Sequence, residues 1–511
     1  YFKEFKNVKY LTTNDDDNDE IELAFSKNED SANNRKIMLS EYARTKTLDY
    51  SKKNVSIKDF VYEDLIHFFE SDNIRSIPNA IDGLKPSQRK VLYCCFKRKL
   101  ENEIRVAQLA GYVSEHGAYH HGEASLQGTI INMAQDFVGS NNCNLLEPIG
   151  QFGTRLLGGK DSAQPRYIHT KLSPFANKLF NKSDEPLYEY NYDDGQKIEP
   201  FYYVPTLPLL LINGSSGIGT GWSTDIPPFN PKDILKNIKL HFAGLAMEEM
   251  LPYYRNFNGT VYKSGNSYYS KGIYSAKNDV ITVTELPIGI WSDKYKEYLE
   301  SLIIDNKAKT NKQIIRYYNS YCNDVDVHFE IIMDQNIIAK LNVYDDKIKM
   351  TKLEKMLKII TPINTSNMVA FDRNNKIKRY TSAHEILEEY INTRLHFYNE
   401  RKQNLVKVLE EEINFLSMKI RFIKEFINGN LNINNQTKLM IIEQLENGNY
   451  IKKDDSYDYL LRMPIYNLTK EKIDEFDEHN NKKMNELELL KTKSNTDLWR
   501  ADFEEIEALI E

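Results

Sequence analysis

The sequence is poor in cysteine and lacks any long apolar run. Its four cysteines, Cys94, Cys95, Cys143 and Cys322, form no C-x-x-C pair. This excludes a disulfide framework and a structural zinc site, and it fits a reducing intracellular compartment. No apolar stretch approaches the roughly 20 residues of a membrane span, and the acidic first thirty residues contain no signal-peptide core. The chain begins at Tyr1 without a methionine, so we expect a fragment or a processed product.

The sequence also lacks a positive net charge, because 74 Asp and Glu outnumber 67 Lys and Arg and give a formal charge of −7. That balance alone speaks against a nucleic-acid partner. The distribution indicates otherwise, because six cations and no anion lie between Lys85 and Lys99. A basic island of this kind can bind phosphate within an acidic chain, and a solvated helix face is the alternative. At 511 residues the chain is long enough for roughly three domains.

Three familiar ligand-binding motifs are absent. The acidic run at 14–20 begins like a calcium loop, but Glu20 and Ser26 replace the required glycine and glutamate. We therefore reject an EF-hand and predict a solvated linker. The glycine-rich segment that starts at Gly153 ends in Asp161 where a nucleotide-binding P-loop needs Ser or Thr. The zinc motif H-E-x-x-H does not occur.

The order of elements from residue 58 to about 170 is typical of a winged-helix domain. Apolar spacing predicts helices over 58–70, from Pro86, over 106–113 and over 121–139. A glycine-rich hairpin would follow as the wing. An ordinary helical subdomain is the alternative.

Phosphate-binding chemistry is concentrated in this segment. Lys85, Arg89 and Lys90 would cluster at the start of the Pro86 helix, where helix amides and cations together attract phosphate. His120 and His121, at the start of a later helix, could donate to phosphate or assist proton transfer.

The triplet Pro165-Arg166-Tyr167 lies on the predicted hairpin. A free phenol has a pKa of ~10, so few phenol groups are ionised at neutral pH. Arg166 is a permanent cation, which favours a phenolate or stabilises charge on a reacting phosphate. Because the chain has 33 tyrosines, a structural role for Tyr167 is the alternative.

A second glycine-rich segment, at 213–222, follows the apolar run 207–212, which we predict as a buried strand. Its glycines do not match a dinucleotide-binding motif. A tight loop that exposes Ile218 is the more specific interpretation, since an apolar side chain can enter a base step and kink DNA.

The remaining sequence divides into two patterns. Short alternating runs from 230 to 365 predict a separate α+β domain, and a possible phosphate-contact strip follows at Arg373, Lys376, Lys378 and Arg379. After residue 381, heptad spacing predicts a helix of more than 40 residues, and a second long helix is predicted from about 470 to 510. Two such helices are typical of an antiparallel coiled-coil arm that ends in a dimer contact.

Several long motifs closely resemble eukaryotic-type DNA topoisomerase II, and the likeness covers most of residues 20 to 511. These motifs are IPNAIDGLKPSQRKVL (77–92), VAQLAGYVSEHGAYHHGE (106–123), FVGSNNCNLLEPIGQFGTRLLGGKDSAQPRYI (137–168), INGSSGIGTGWS (212–223), MPIYNLTKEK (463–472) and TDLW (496–499). The resemblance implies a multidomain α+β fold of four parts. These are a Toprim tail and linker (1–57), a winged-helix domain (58–228), a tower domain (229–380) and a coiled-coil arm with a dimer gate (381–511).

The resemblance also implies roles for individual residues. Tyr167 would attack a DNA phosphodiester and remain attached to the 5′ phosphate, while Arg166 would stabilise the transition state. Arg89 and His121 would hold the reacting phosphate, and Ile218 would intercalate and bend the duplex. The DNA path would be lined by Lys85, Lys90, His120 and Lys160.

Cofactors, partners and location follow from the same resemblance. The family binds Mg²⁺ through acidic Toprim residues and ATP through a separate domain, and neither set is found here. We therefore expect no metal ligands in this chain, and we expect it to bind and bend DNA as a homodimer in the nucleus, without a membrane. Cleavage would need the Toprim and ATPase segments. A catalytically silent DNA-binding or dimerisation scaffold is the alternative.

Overall fold

The computed structural model describes residues 10–12, 17–42, 45–49, 51, 54–303, 315–345, 350–433 and 435–510. They form two compact units. The first comprises Tyr1–Asn181, Tyr188–Arg394 and Glu504–Glu511, and the second comprises Lys182–Leu187 and Leu395–Phe503. The four-part division predicted from the sequence stays a prediction, because these units follow compactness rather than function.

The first unit begins with a small helical layer. Its helices are α1 (Asp17–Phe25), α2 (Glu29–Ser40), and a continuous helix made of α3 (Ile57–Phe60), a π-helical turn (Val61–Leu65) and α4 (Ile66–Ser76). Strand β1 (Tyr10–Thr12) pairs in parallel with β2 (Asn54–Ser56).

The predicted linker is wrong over the part of 14–20 that the structure describes, because residues 17–20 lie in α1; residues 14–16 lie outside the described chain. Leu23, Met38 and Phe69 pack in one apolar cluster, and this burial stabilises helices whose polar composition suggested a linker.

The next segment contains the predicted helices. They are α5 (Pro86–Arg98), α6 (Val106–His116) and α7 (Glu123–Ala134), with β3 (Ile104–Arg105) paired antiparallel to β4 (His169–Thr170). Pro86 occupies the first turn of α5 and Gly117 ends α6, as predicted. The helix predicted over 121–139 is shorter, because Gln135 leaves the helix and its side chain bonds the carbonyl oxygens of Phe152 and Gly159.

Short elements complete this segment. They are α8 (Pro174–Leu179), the 3-10 helix Lys182–Leu187 of the second unit, β5 (Tyr190–Asp193), β6 (Gln196–Pro200), α9 (Leu209–Asn213), β7 (Ser215–Ile218), β8 (Ser223–Ile226) and α10 (Pro231–Phe242). The strand predicted over 207–212 is wrong, since its last four residues begin α9. A short apolar run that is buried all round has no periodicity to distinguish helix from strand.

The α+β region (residues 260–363) is predicted correctly in class. Strands β11 (Ile273–Lys277), β12 (Val280–Glu285), β14 (Phe329–Met333) and β13 (Ile315–Ser320) form one antiparallel sheet in that order. Helix α11 (Ser292–Ile303) contributes Tyr295 and Leu299 to its core. The other elements are β9 (Thr260–Ser264), β10 (Ser267–Lys271), α12 (Gln335–Leu341), β15 (Tyr344–Asp345), β16 (Met350–Thr351), α13 (Lys352–Met356) and β17 (Ile360–Ile363).

The hairpin of β18 (Met368–Phe371) and β19 (Ile377–Tyr380) precedes the long helix α14 (Ala383–Ile427). The 45 residues of α14 confirm the predicted helix of more than 40. It is followed by α15 (Lys438–Asn447), α16 (Asp458–Leu461), the 3-10 helix Ile465–Asn467, α17 (Lys470–Thr492) and α18 (Asn495–Glu507).

The arm (residues 395–503) is antiparallel, as its ion pairs show: Lys491 pairs with Glu410, Lys483 with Glu412 and Lys424 with Asp477. The second helix, predicted as continuous to residue 510, is interrupted after Thr492. Ser494 caps a new helix by accepting the Asp497 amide, and Asp497 accepts the Ser494 amide. This Ser-x-x-Asp spacing is a helix-start signal that the heptad pattern obscured.

Candidate DNA interface and nucleophile

The glycine-rich loop (residues 150–168) reaches β4 through a turn that carries Tyr167. Two backbone hydrogen bonds from the first turn of α6 bracket it, from Val106 N to Ile168 O (3.0 Å) and from Ala107 N to Pro165 O (3.1 Å). Helix starts leave such amides without partners, so the loop satisfies them. The predicted hairpin is present at its base, where Leu146 and Ile149 form antiparallel bridges with Leu172 and His169. The loop beyond these bridges is a series of turns. The Tyr167 side chain is 68% exposed, so a substrate can reach its hydroxyl.

Arg166 lies against Tyr167 and is fixed from the same turn. Its Nε donates to the side-chain oxygen of Gln164 (2.9 Å), and the Tyr167 amide donates to the Gln164 carbonyl (2.9 Å). The guanidinium carbon lies 5.4 Å from the centre of the Tyr167 ring, within the range of a cation–π contact. A permanent cation therefore lies beside the phenol, where it can stabilise negative charge on a phosphate bound there.

Lys85 precedes α5 and links it to the β7–β8 hairpin. Its Nζ donates to the carbonyl of Ser216 (2.7 Å). Burial lowers the pKa of the Lys85 ammonium, because a charged group loses hydration there. An approaching phosphate would restore a favourable environment for that charge.

Arg89 is buried, at 6% exposure. Its guanidinium donates twice to Asp82 (2.7 and 3.0 Å) and once to the carbonyl of Leu84 (2.9 Å). Burial acts to lower the pKa of Arg89, but the Asp82 carboxylate more than offsets this and the pKa is raised. Arg89 thus ties the loop before α5 to the helix.

Lys90 connects α5 to the turn that carries the histidine pair. Its Nζ donates to the Gly117 carbonyl (2.7 Å) and to Glu199 (2.9 Å). In that turn, His120 lies 3.3 Å from the Asp193 carboxylate, and the His121 ring meets Tyr119 edge-on. Both histidines are exposed at the start of α7, where helix amides favour an anion.

Tyr167 and the histidine pair lie at opposite ends of α6. The Tyr167 turn docks on the first turn of this helix, and the histidines follow its last turn. With 11 residues, α6 spans about 16 Å. No described hydrogen bond or ring contact joins Tyr167 to either histidine.

Lys160 is exposed at the tip of a closed part of the glycine-rich loop. Asp161 accepts the Thr154 amide (2.9 Å) and hydroxyl (2.5 Å), and the Gly159 amide donates to the Thr154 carbonyl (2.9 Å). These bonds close the loop on itself. Lys160 therefore projects from a loop whose backbone is held by internal hydrogen bonds.

Ile218 is 84% exposed, as predicted, but it is the last residue of strand β7 and pairs with Ser223 of β8 rather than lying in a loop. A Cβ on Gly217 would lie 2.1 Å from the Ser76 carbonyl, and one on Gly219 would lie 2.3 Å from the Asn73 side chain. Glycine at both positions lets the hairpin seat directly on α4. The side-chain amide of Asn73 donates to the Thr220 carbonyl (3.0 Å).

The second possible phosphate strip, on the β18–β19 hairpin, is partly neutralised by carboxylates of the following helix, α14. Lys378 pairs with Glu385 and Glu389 at 3.1 Å each, and Arg379 donates to Asn367 (3.3 Å). The strip therefore offers fewer free cations than its sequence suggests.

Sequence reasoning missed the acidic partners of Arg89, His120 and Lys90, which are Asp82, Asp193 and Glu199 respectively. Asp82 stands near the basic island in sequence, but the others are distant and no spacing rule connects them to the cations. Their pairing is a property of the fold.

The described residues do not fit a metal site of the family. No group of three or more His, Cys, Asp or Glu side chains among them could hold a metal ion. We therefore derive no chemical step through a metal. In the same part of the chain, no helix is long and apolar enough to cross a membrane.

Comparisons with known proteins identify the family. Residues 75–504 match the family profile for the A subunit of DNA gyrase/topoisomerase IV, and residues 1–73 match the C-terminal associated domain of TOPRIM. The chain is 42% identical to DNA topoisomerase 2 of Plasmodium falciparum, over 100% of this chain and 38% of that protein. It is 40% identical to DNA topoisomerase 2-alpha of Sus scrofa, over 100% of this chain and 36% of that protein.

A solved structure shows the same fold. The Plasmodium falciparum topoisomerase II DNA-binding, cleavage and re-ligation domain superposes with a TM-score of 0.84 at 42% identity, over 97% of this chain and 70% of that one. This similarity confirms the predicted multidomain α+β fold class. The chain spans less than two fifths of the length of the two relatives above. The profile match over most of its residues shows that the chain belongs to the type II DNA topoisomerase family, which includes the A subunit of DNA gyrase/topoisomerase IV.

Proposed function

We propose that this chain is the DNA breakage and reunion region of a type II DNA topoisomerase. One observation carries the proposal. Tyr167 is 68% exposed on a turn anchored to α6, and the Arg166 guanidinium lies over its ring. An accessible nucleophile beside a fixed cation is what attack on a phosphodiester requires.

The reaction is a reversible transesterification. The phenolic oxygen of Tyr167 attacks the phosphorus of one DNA strand, and its proton passes to a base or to water. A phosphorus–oxygen bond to tyrosine forms, the bond to the 3′ oxygen breaks, and that oxygen takes up a proton as a 3′ hydroxyl. The 5′ phosphate stays on Tyr167. Attack by the 3′ hydroxyl reverses every step, so religation needs no outside energy.

The other predicted residues are proposed to hold the duplex. Lys160, on its closed loop, and the exposed His120 would contact the DNA backbone, while Lys85 and Lys90 would combine scaffold contacts with phosphate attraction. His121 is proposed to contact the phosphate backbone from the start of α7. For Arg89, burial against Asp82 favours fixing the loop before α5 over direct attachment to the reacting phosphate.

Ile218 is proposed to bend the duplex. An apolar side chain inserted between base pairs unstacks them and kinks DNA. The hairpin that carries Ile218 is backed by α4 and by Lys85, so the side chain can enter the stack without the hairpin yielding.

A homodimer is proposed through the end of the arm. Between α14 and α17 lie several exposed apolar side chains, among them Leu439, Met440, Ile465 and Tyr466. Apolar exposure concentrated in one short part of the chain is typical of a protein interface. Two chains would each cut one strand, and the paired arms would form a gate for the passing duplex.

The complete enzyme is proposed to use Mg²⁺ and ATP through segments other than the described residues, with ATP driving strand passage. A nuclear location remains a prediction from the family. One relative, from Dictyostelium discoideum, is named as mitochondrial.

Covalent capture tests the proposal. The chain is mixed with supercoiled plasmid and Mg²⁺, with the metal-binding and ATPase segments of a relative supplied, and the reaction is stopped with detergent. We expect protein-linked linear DNA that disappears in Tyr167→Phe.

A matched control is Tyr192→Phe, because Tyr192 is equally exposed at 68% but lies on β5. It should form adduct at the rate of the unaltered chain. Duplex binding without any adduct, even with every segment supplied, would contradict the enzyme and leave a silent scaffold.

A further inference from the structure

The glycine-rich loop contacts residues of the α+β region that lie more than a hundred positions later in the sequence. Three separate contacts join them: an ion pair, a pair of backbone hydrogen bonds and an aromatic packing contact. Each involves the part of the loop that leads to Tyr167. The α+β region therefore bears on the position of the candidate nucleophile.

The ion pair joins Arg155 of the loop to Glu285 at the end of β12. Both are buried, with Glu285 only 1% exposed. Glu285 also accepts the amides of Leu286 (3.0 Å) and Asn258 (3.3 Å), which fixes the orientation of the carboxylate that Arg155 contacts. Removing one partner of a buried pair leaves an uncompensated charge, so this contact resists opening.

The hydrogen bonds come from the start of α11. The Ser292 amide donates to the Arg155 carbonyl (3.3 Å), and the Asp293 amide donates to the Leu156 carbonyl (3.1 Å). The loop thus supplies acceptors for the free amides of that helix.

The packing contact is made by Trp291. A Cβ on Gly158 would lie 2.4 Å from the indole ring, and Gly158 has φ of +62°. Only glycine fits such a close approach with that backbone conformation. The same indole packs edge-on against Phe137, beside the end of α7.

The braced loop is continuous with the Tyr167 turn. After the closed part ends at Asp161, the Ala163 amide donates to the Gln151 carbonyl (2.9 Å). The next residue is Gln164, which binds both Arg166 and Tyr167. Hydrogen bonds therefore follow one another along the loop from its contacts with the α+β region to Tyr167.

We propose that Arg155, Glu285 and Trp291 are positioning residues for Tyr167. In this proposal the α+β region orients Tyr167 for strand cleavage, in addition to any contact that the region makes with DNA. This inference rests on the proposed function, because it assigns these residues an effect on attack by Tyr167.

The test compares Glu285→Gln and Trp291→Ala with Glu354→Gln. Glu354 is a matched control, since it is a buried carboxylate of the same region, paired with Lys271 (2.6 Å), and has no described contact with the loop. Three quantities are measured for the whole chain with its supplied segments: the rate of adduct formation at saturating duplex, the Kd for duplex and the thermal midpoint.

We expect both brace variants to form adduct about ten to a hundredfold more slowly, because small misplacement of a reacting group has effects of that size. The Kd should stay within about twofold, and Glu354→Gln should match the unaltered chain in adduct rate and in Kd. Trp291→Phe, which keeps an aromatic ring against Gly158, should recover part of the rate. If Glu285→Gln does not fold, the comparison of Trp291→Ala with Trp291→Phe tests the proposal.

Unchanged adduct rates in folded brace variants would overturn the inference, and so would an equal loss in Glu354→Gln or a loss explained by weaker duplex binding. Absence of adduct from the unaltered chain would instead contradict the proposed function, so the two failures are distinguishable.

Discussion

Two exposed side chains, Tyr167 and Ile218, are held in different ways. Ile218 ends a strand of a regular hairpin that seats on the neighbouring helix α4. Tyr167 lies on an irregular turn, anchored by α6 and continuous with a loop that the α+β region grips. The wedge proposed at Ile218 needs only a stiff support, whereas the nucleophile proposed at Tyr167 needs a defined direction of attack. The more demanding of the two proposed roles has the more distributed support.

The largest expected effect separates the two roles completely. Tyr167→Phe should abolish the covalent adduct and leave duplex bending unchanged. Ile218→Ala should remove most of the bend, because the wedge that unstacks a base step is gone. Bending is measured by energy transfer between dyes on the duplex ends. Loss of bending in Tyr167→Phe would show that the two features do not act separately.

The next effect concerns the cation beside the phenol. Arg166→Ala should slow adduct formation about a hundredfold, the usual loss when one donor to a developing oxyanion is removed. Arg166→Lys keeps the positive charge but loses the planar guanidinium group. Its rate of adduct formation should therefore lie between those of the unaltered chain and Arg166→Ala. Single-turnover capture at saturating duplex measures both. Equal rates for the lysine and alanine variants would mean that charge is not what Arg166 contributes.

A smaller effect tests the support of Ile218. The Thr220 hydroxyl donates to Asp72 (2.9 Å), so Thr220→Val removes that bond at nearly constant volume. The loss should be about 1 kcal/mol, seen as a broader distribution of bend angles with an unchanged adduct rate at saturating duplex. A bend distribution identical to that of the unaltered chain would show that the hairpin does not depend on this bond.

The smallest effect lies within the α+β region. Burial acts to raise the pKa of Glu354, but hydrogen bonds from Lys271 and Thr351 hold it below its ordinary value of 4.5. A carboxyl group whose pKa is lowered by folding stabilises the fold at pH values above its ordinary pKa. This stability is lost as the pH falls through the folded-state pKa. Glu354→Gln should therefore cost about 1 kcal/mol at pH 7, allowing for solvent screening at Lys271, and less at pH 3.

Urea unfolding at both pH values measures this difference. A cost that does not shrink at low pH would contradict the ionic origin of the stabilisation.

The sequence predicted the elements whose signals are local. Pro86 opens α5, Gly117 ends α6 and the heptads of α14 give one long helix, because each depends on nearby residues. The run 207–212 was misassigned since complete burial removes periodicity. The exposure of Ile218 was foreseen, but the contact of Trp291 with Gly158 was not. It joins distant segments, and nothing in either segment marks its partner.

The most direct test of Tyr167 as the nucleophile is to locate the covalent link. Adduct from the unaltered chain is digested with nuclease and protease, and the nucleotide-bearing peptide is sequenced by mass spectrometry. We predict a single modified residue, Tyr167, carrying a 5′ phosphate in the peptide that contains Pro165 and Arg166. A nucleotide on the equally exposed Tyr192, or on any other residue, would contradict it.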